Sequence, residues 1–391
     1  MSDNNKLKPG WKVWRFDQMA TNVNVRIDNP SESGMEHYVG LEHLDADSLK
    51  IRRWGTLDDV EATKLMFKKG DIIFGRRRAY QRKLGVAEFD GICSAHAMVL
   101  RAKPDVVLPE FLPFFMQSDL FMNRAVEISV GSLSPTINWK TMAAQEFCLP
   151  PIDDQHRIAD AFRAIVDVRE SLKGLAESEK DLLLSRLIAI WSKWPIETRR
   201  LSEISSHLTS GSRGWAEHYD DKGPALFVRI TNMMRGAPRL DLSDKQKVTP
   251  PKTLEATRTR VVDGDLLLSI TAELGLAAVA PEGLGESYVN QHLALIRIDP
   301  TLANSKYVAW YLCSPPGQGQ IARFNDPGAK AGMNLKAVAG LQIPWVPLEE
   351  QALLAESLNS IDSAFVETLN KEQKAAGLQK CLSEEIFGSG E

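Results

Sequence analysis

Two long proline-free stretches dominate the hydrophobic pattern, one between Pro151 and Pro195 and one after Pro347. In the first, alternating steps of four and three pick out Ile158, Phe162, Ile165, Arg169, Leu172, Ala176, Glu179, Leu183, Arg186 and Ile190. In the second they pick out Leu354, Leu358, Ile361, Phe365, Thr368, Glu372, Ala375, Gln379, Leu382 and Ile386. Most positions in each series are apolar, which is the 3.5-residue repeat of a helix with one apolar seam. Each stretch opens with a helix-start signal, a proline followed by acidic residues (Asp153 and Asp154, Glu349 and Glu350). At 1.5 Å per residue each helix is about 60 Å long. A helix of that length with one apolar seam needs a partner. Pairing the two antiparallel buries both seams and makes a ruler between two heads; the alternative is that each helix folds back onto its own domain.

Outside these stretches the apolar runs are short. Asp71–Phe74 and Asp265–Leu268 each follow a glycine and suit buried strands, as do Ala97–Leu100 and Leu293–Ile298. Pro109–Asp119 and Ser305–Ser314 are rich in aromatics and predict helices, with Pro113 standing where Ala309 stands.

The chain is an internal repeat. A shift of 196 residues superposes 93–191 on 289–387 without a gap, matching His96 to His292, Arg101 to Arg297, Ser118 to Ser314, Asn138 to Asn334, Pro151 to Pro347 and Gln155 to Gln351. Upstream the match survives with small slips: Gly70-Asp71-Ile72-Ile73-Phe74 faces Gly264-Asp265-Leu266-Leu267-Leu268, and Tyr38–Leu41 faces Phe227–Ile230. Agreement is tight late in each half and loose early, as for two copies of one scaffold carrying different variable faces.

Composition changes this picture little. The 391 residues are 43% hydrophobic and 25% charged, ordinary for a globular chain. No segment has the unbroken apolar run of a membrane span, and the N-terminus has no apolar core of a secretory signal. Cys93, Cys148, Cys313 and Cys381 stand far apart, as free thiols of a reducing cytoplasm would. Net charge is −4, which argues mildly against a stand-alone nucleic-acid binder. The acid is concentrated in the tail: residues 348–391 hold 3 basic and 9 acidic side chains, whereas 1–150 hold 20 and 19 and 196–347 hold 17 and 15.

Two heads, two long helices and a repeated Pro-x-x-x-Gln helix start resemble the specificity subunit of type I restriction-modification systems. The likeness covers nearly the whole chain. Its phrases are Lys8-Pro9-Gly10-Trp11-Lys12, the two Gly-Asp-apolar strands, Gly211-Ser212-Arg213 through Phe227–Ile230, and Pro151-Ile152-Asp153-Asp154-Gln155 with Pro347-Leu348-Glu349-Glu350-Gln351. The first copy of the last phrase departs from the family pattern, with Asp154 in place of Glu. No single phrase is specific; their duplicated arrangement is.

The resemblance implies an α+β protein with two target-recognition α/β domains, each followed by a long helix, the helices forming an antiparallel coiled coil with pseudo-two-fold symmetry. It implies domains at 1–150 and 195–347 and spacer helices at 151–194 and 348–391. Each head reads one half of a split site in double-stranded DNA. Two methyltransferase subunits dock on the helices, with Pro151, Gln155, Pro347 and Gln351 at partner contacts, and motor-nuclease restriction subunits are optional further members. No cofactor and no metal are expected, because the partners bind S-adenosylmethionine and ATP.

The residues agree that the chain has no chemistry of its own. Ser314-Pro315-Pro316-Gly317 lacks the aromatic of an amino-methyltransferase motif, and no GxxxxGK[ST] phosphate loop is present. His96 and His292 lack neighbouring carboxylates or cysteines in sequence and read as structural.

DNA contact is expected first in Arg76-Arg77-Arg78-Ala79-Tyr80-Gln81-Arg82-Lys83, where five basic residues with interleaved Tyr80 and Gln81 suit phosphates and base edges. The second copy has Ile270–Gly275 there, nearly apolar. Its expected contacts are Arg213 beside Ser212, then Arg229, Asn232 and Arg235 with Arg239, and Lys330 in the glycine-flanked loop 328–332. Ser132 and Ser134 hold the equivalent place in the first head, and Arg52 and Arg53 are weaker candidates. Two other readings stay open: the specificity subunit of another defence or modification system, and a coiled-coil adaptor that never binds DNA.

Overall fold

The computed structural model describes residues 8–57, 60–192, 197–324 and 332–388. Its contacts divide the chain into two compact units, Met1–Ser171 with Lys371–Glu391, and Leu172–Asn370. Each unit holds one head and a stretch of both long helices.

In the first unit one sheet has the strand order Ala20–Val23, Met98–Ala102, Ile72–Phe74, Leu84–Val86, all antiparallel. A second sheet runs Arg26–Ile27, Lys64–Phe67, Gly91–Ser94, Tyr38–Val39, with only the last pair parallel. The short apolar run at the centre follows from this arrangement. Successive strand residues point to opposite faces, and both faces of Ile72–Phe74 are covered. Ile72 and Phe74 enter the core under the helices, while Ile73 enters the core between the sheets.

The second unit repeats the first sheet with Ser205–Ser210, Leu293–Ile298, Leu266–Ser269 and Ala277–Val279. Leu266 and Leu268 face one core and Leu267 the other. Its second sheet shares three strands with the first unit's: Arg260–Val261, Ser287–Val289 and Ala225–Val228, again with one parallel pair. The fourth strand differs. Gln246–Val248 is added beside Ala225–Val228, whereas Arg26–Ile27 is added at the opposite edge in the first unit. The loose sequence agreement early in each half thus falls where the two copies recruit different edge strands. A two-stranded closure ends each head, Lys12–Arg15 with Glu146–Leu149 and Thr198–Arg200 with Gln342–Pro344.

The helices after the central sheets differ from expectation in the first copy. Ser305–Cys313 is a helix as expected. Its counterpart starts only at Leu112, ends at Gln117, and is followed by a separate helix, Asp119–Glu127. Pro113 is the reason: lacking an N–H, it is accepted in a first turn and so sets the helix start beside itself. Ser118 and Ser314 occupy matching N-caps, each hydroxyl accepting from the backbone three residues on.

The long helices run Ile152–Ser192 and Leu348–Phe387. The seam read from the sequence turns inward, with Phe162, Ala176, Leu183, Leu358 and Thr368 buried; Arg186 alone among those positions is exposed. The first unit gives the helix direction. The Phe162 ring lies 6.1 Å from that of Phe387, and seven residues later Arg169 meets Glu372 (2.8 Å) and Gln379 (2.7 Å), so the pair is antiparallel. Three of the polar interruptions, Arg169, Glu372 and Gln379, are therefore each other's partners. In the second unit Leu183, Leu187 and Trp191 share a core with Ala355 and Leu358.

Candidate nucleic-acid interface

In each head the loop after the central strand is bonded to the loop before a short helix. Ile137 N–H donates to the Arg76 carbonyl (3.0 Å), and Met333 N–H donates to that of Ile270 (2.8 Å). Bridges Arg77 to Thr136 and Thr271 to Gly332 continue the match. The residue after each bridge is left-handed, Arg78 (φ 59°) and Ala272 (φ 64°), a conformation L-residues rarely take. The matched histidines flank the same position: His96 Nε2 lies 3.4 Å from an Arg77 nitrogen, and His292 Nδ1 lies 2.5 Å from the Thr271 hydroxyl. One backbone frame thus presents Arg76-Arg77-Arg78 in the first head and Ile270-Thr271-Ala272 in the second.

In the first head the basic cluster divides by what its side chains touch. Arg77 and Arg78 lie on the frame, Arg78 exposed and resting on the Ser134 hydroxyl (3.2 and 3.3 Å). Tyr80 is exposed beside them and Gln81 half-buried. Arg76 is half-buried and donates to the Ala95 carbonyl (3.0 Å). Arg82 faces the scaffold, where it meets Asp47 (2.5 Å), Asp119 (2.9 Å) and the Gln117 carbonyl (2.6 Å). Lys83 donates to the Leu41 carbonyl (2.7 Å). The linear run read as one contact surface therefore separates into an outward part, Arg78 and Tyr80, with half-buried Arg77 beside them against His96, and an inward part, Arg82 and Lys83. Exposed Ser132 joins the outward part, because loop 130–136 is bonded against it. Arg52 and Arg53 pair with Glu170 and Asp45.

His96 was missed as a member of this patch; its match to His292 was the available signal. Burial, then the nearby Arg77, Arg76 and Lys64 charges, hold its imidazole below the usual range.

The second head brings fewer of the expected residues to the surface. Arg213 is exposed. Arg235 is exposed and paired with Glu273. Arg229 is half-buried and paired with Asp244 (2.7 Å). Asn232 is buried: it accepts from the Arg229 N–H (3.0 Å) and donates to the Asp241 and Asp244 carbonyls (2.9 and 2.8 Å). All these bonds hold a loop together, so Asn232 has no free edge to offer a base. Arg239 is bound to Asp362 of the second long helix (2.8 Å). Lys330 lies outside the described residues.

The helix-start glutamines, expected at partner contacts, lie inside. Gln155 is 1% exposed; its oxygen accepts from Leu108 N–H (2.9 Å) and its amide donates to the Val106 and Pro150 carbonyls (3.1 and 3.0 Å). Gln351 repeats this with the Asn304 N–H (2.9 Å) and the Val346 carbonyl (2.9 Å). Each ties a long helix to its own head, and neither reaches a surface. Pro151 and Pro347 are exposed.

A duplicated α+β scaffold with two differently dressed loop frames, each unit holding stretches of both long helices, defines the class of fold. Comparison with known proteins makes it specific. Residues 48–178 match the family described as type I restriction modification DNA specificity domain. Over 150 residues the chain is 29% identical to the type I restriction enzyme EcoDI specificity subunit of Escherichia coli, covering 38% of this chain; the match spans a third (33%) of that relative. The fold is shared with the type I restriction-modification S subunit of M. genitalium (TM-score 0.64, 14% identity, 99% and 98% of the two chains). It is also shared with a chain solved in work on complex assembly and conformational transition of the type I R-M system (TM-score 0.58, 22% identity, 98% and 99%). The chain is thus similar to type I restriction-modification specificity subunits, with the DNA specificity domain matched at residues 48–178.

Proposed function

We propose that this chain is the DNA-reading, non-catalytic subunit of a type I restriction-modification complex. Residues 1–150 and 195–347 act as two target-recognition domains, each reading one half of a split site. The helical segments 151–194 and 348–391 act as spacers on which methyltransferase subunits, two per complex, and restriction subunits assemble. One observation carries the reading. The same backbone frame, down to a left-handed residue and a flanking histidine, holds three arginines in one head and an isoleucine, a threonine and an alanine in the other. A scaffold kept while its face varies is what reading two different targets requires.

Arg77, Arg78, Tyr80, Gln81 and Ser132 supply the contacts of the first head, with Arg76 behind them; Arg213, Arg235 and Lys330 supply those of the second. Arg229, Asn232, Arg82 and Lys83 shape the loops that carry them. Pro151 and Pro347 are the exposed parts of the helix-start motif available to partners, and Gln155 and Gln351 act on partners only by fixing each helix. Among the described residues no helix is long and apolar enough to cross a membrane, and the reading places the protein in the cytoplasm with its DNA.

The test is base-resolution methylation mapping in cells co-expressing this chain with its methyltransferase subunit. The expected result is a split, asymmetric motif that disappears without the chain. Exchange of residues 1–150 then changes one half of it only. A stable complex that adds no methylation sinks the proposal and favours an adaptor.

A further inference from the structure

Leu133 stands 91% exposed at the tip of a loop braced at its base and along its Ser134–Pro135 limb. Val130 and Thr136 exchange both backbone hydrogen bonds (3.1 and 3.0 Å), closing Gly131–Pro135 into a short finger. The Arg78 N–H donates to the Pro135 carbonyl (2.7 Å), and the Arg78 guanidinium rests on Ser134. The finger is thus pinned to the arginine loop. Val130 (70% exposed) and Tyr80 (54% exposed) are further exposed large apolar residues on these two loops.

At 91% exposure the Leu133 side chain contributes almost nothing to the packing of the fold. An exposed leucine gains no burial, and a turn closed by backbone bonds does not need one. The 196-residue shift puts Ala329 opposite it in the second head, so the scaffold does not require leucine there. The surroundings are cationic, Arg77 and Arg78, and therefore suit a polyanion rather than an apolar protein surface. With Arg77 and Arg78 on phosphates, as the proposed function has them, an apolar tip beside them would meet the bases. On the edges of a stacked duplex the apolar group on display is the C5-methyl of thymine, in the major groove.

We propose that Leu133 is a specificity-determining residue of the first head that packs on the methyl group of a thymine in the first half-site. The inference rests on the DNA-reading function proposed above. Arg77 and Arg78 fix the finger against the backbone, and Leu133 distinguishes T·A from the other pairs at one position.

The experiment uses the full chain in complex with its methyltransferase subunits, on duplexes carrying the mapped site. Uracil replaces each thymine of the first half-site in turn, with wild type and with Leu133→Ala. The wild-type complex is expected to lose about fourfold in affinity at one thymine, the effect of removing one methyl from an apolar contact. Leu133→Ala loses at least as much on the natural site and is indifferent to uracil at that position. Its unchanged melting temperature and salt dependence show that the fold and phosphate contacts are intact. Uracil insensitivity at every position, a first half-site without thymine, or Leu133→Ala behaving as wild type each overturns the inference. If the wild-type complex does not prefer its mapped site to a scrambled one, the DNA-reading function itself fails, and that result is separate.

Discussion

Arg101 grips Asp71 with two parallel hydrogen bonds (2.7 and 2.8 Å), and Arg297 grips Asp265 in the same way (2.8 and 2.7 Å). Each aspartate is 1% exposed and also accepts a backbone N–H three residues earlier, from Lys68 or Val262. The Gly-Asp motif is therefore a turn lock: the glycine is left-handed (φ 89° and 84°), and the carboxylate ties the start of the central strand to the neighbouring strand. Asp71→Ala removes the acceptor of both partners and is expected to lower stability by about 2–4 kcal/mol. Arg101→Met should cost at least as much, since it leaves the buried Asp71 carboxylate without its counter-charge. Urea unfolding of the two variants, with Asp265→Ala as the matched case, gives the comparison.

The two helix-start glutamines predict a graded loss. Gln155 makes three bonds into its head and Gln351 makes two. Gln155→Ala should cost about 1–3 kcal/mol, and Gln351→Ala no more. Amide exchange should quicken at Leu108 in the first variant and at Asn304 in the second. Unchanged exchange at both sites would contradict the latch.

Phe387, near the end of the second long helix, lies 5.7 Å from both Phe111 and Phe115 and 6.1 Å from Phe162, ring centre to ring centre. The first head's core is thus completed by a residue from the far end of the chain. Phe387→Ala should destabilise the first unit by about 3–5 kcal/mol. Protease cleavage or hydrogen exchange resolved by unit should show the damage there and leave Leu172–Asn370 as in wild type.

Arg78→Ala and Arg82→Ala should behave differently although four residues apart. Arg78 leans on one hydroxyl and faces outward. Its loss should weaken DNA binding and reduce the salt slope by about one, with little change in stability. Arg82 meets two aspartates and a carbonyl, and its loss should lower the melting temperature first. Salt titrations and melting curves on both variants separate the two roles.

If the first head binds DNA as proposed, His96 should make that binding depend on pH. Its folded-state pKa lies below the ordinary imidazole value, so it is neutral at pH 7. A phosphate at Arg77 would offset the neighbouring positive charge and favour the protonated ring. Binding then takes up a proton, and affinity rises as pH falls through the pKa of the ring in the DNA complex. For folding alone the sign is opposite: a histidine with a depressed folded pKa loses stability as pH falls through its unfolded value. DNA affinity at pH 6 and pH 8, with His96→Ala giving the flatter profile, checks the effect.

The architecture was legible because repetition and periodicity are linear properties. Seams at 3.5-residue spacing specify two paired helices whatever the loops do, and Ile72-Ile73-Phe74 and Leu266-Leu267-Leu268 can be apolar throughout only where both faces are covered. The expected helix Pro109–Asp119 failed at its boundaries because Pro113 moved its start to Leu112.

Which polar side chains face outward was not legible, because a run such as Arg76–Lys83 looks uniform in one dimension. Left-handed turns at Arg78 and Arg82 send its members to different neighbours, and only Asp47, Asp119 and the Leu41 carbonyl, distant in sequence, show which are held inside. Gln155 and Gln351 give the same lesson, since their matched positions marked them as important but their burial made them internal ties. The chain order determined two copies of one scaffold and the helices that follow them, through periodic burial. Tertiary packing alone decided which charges are free, because that depends on which partner each group finds across the fold.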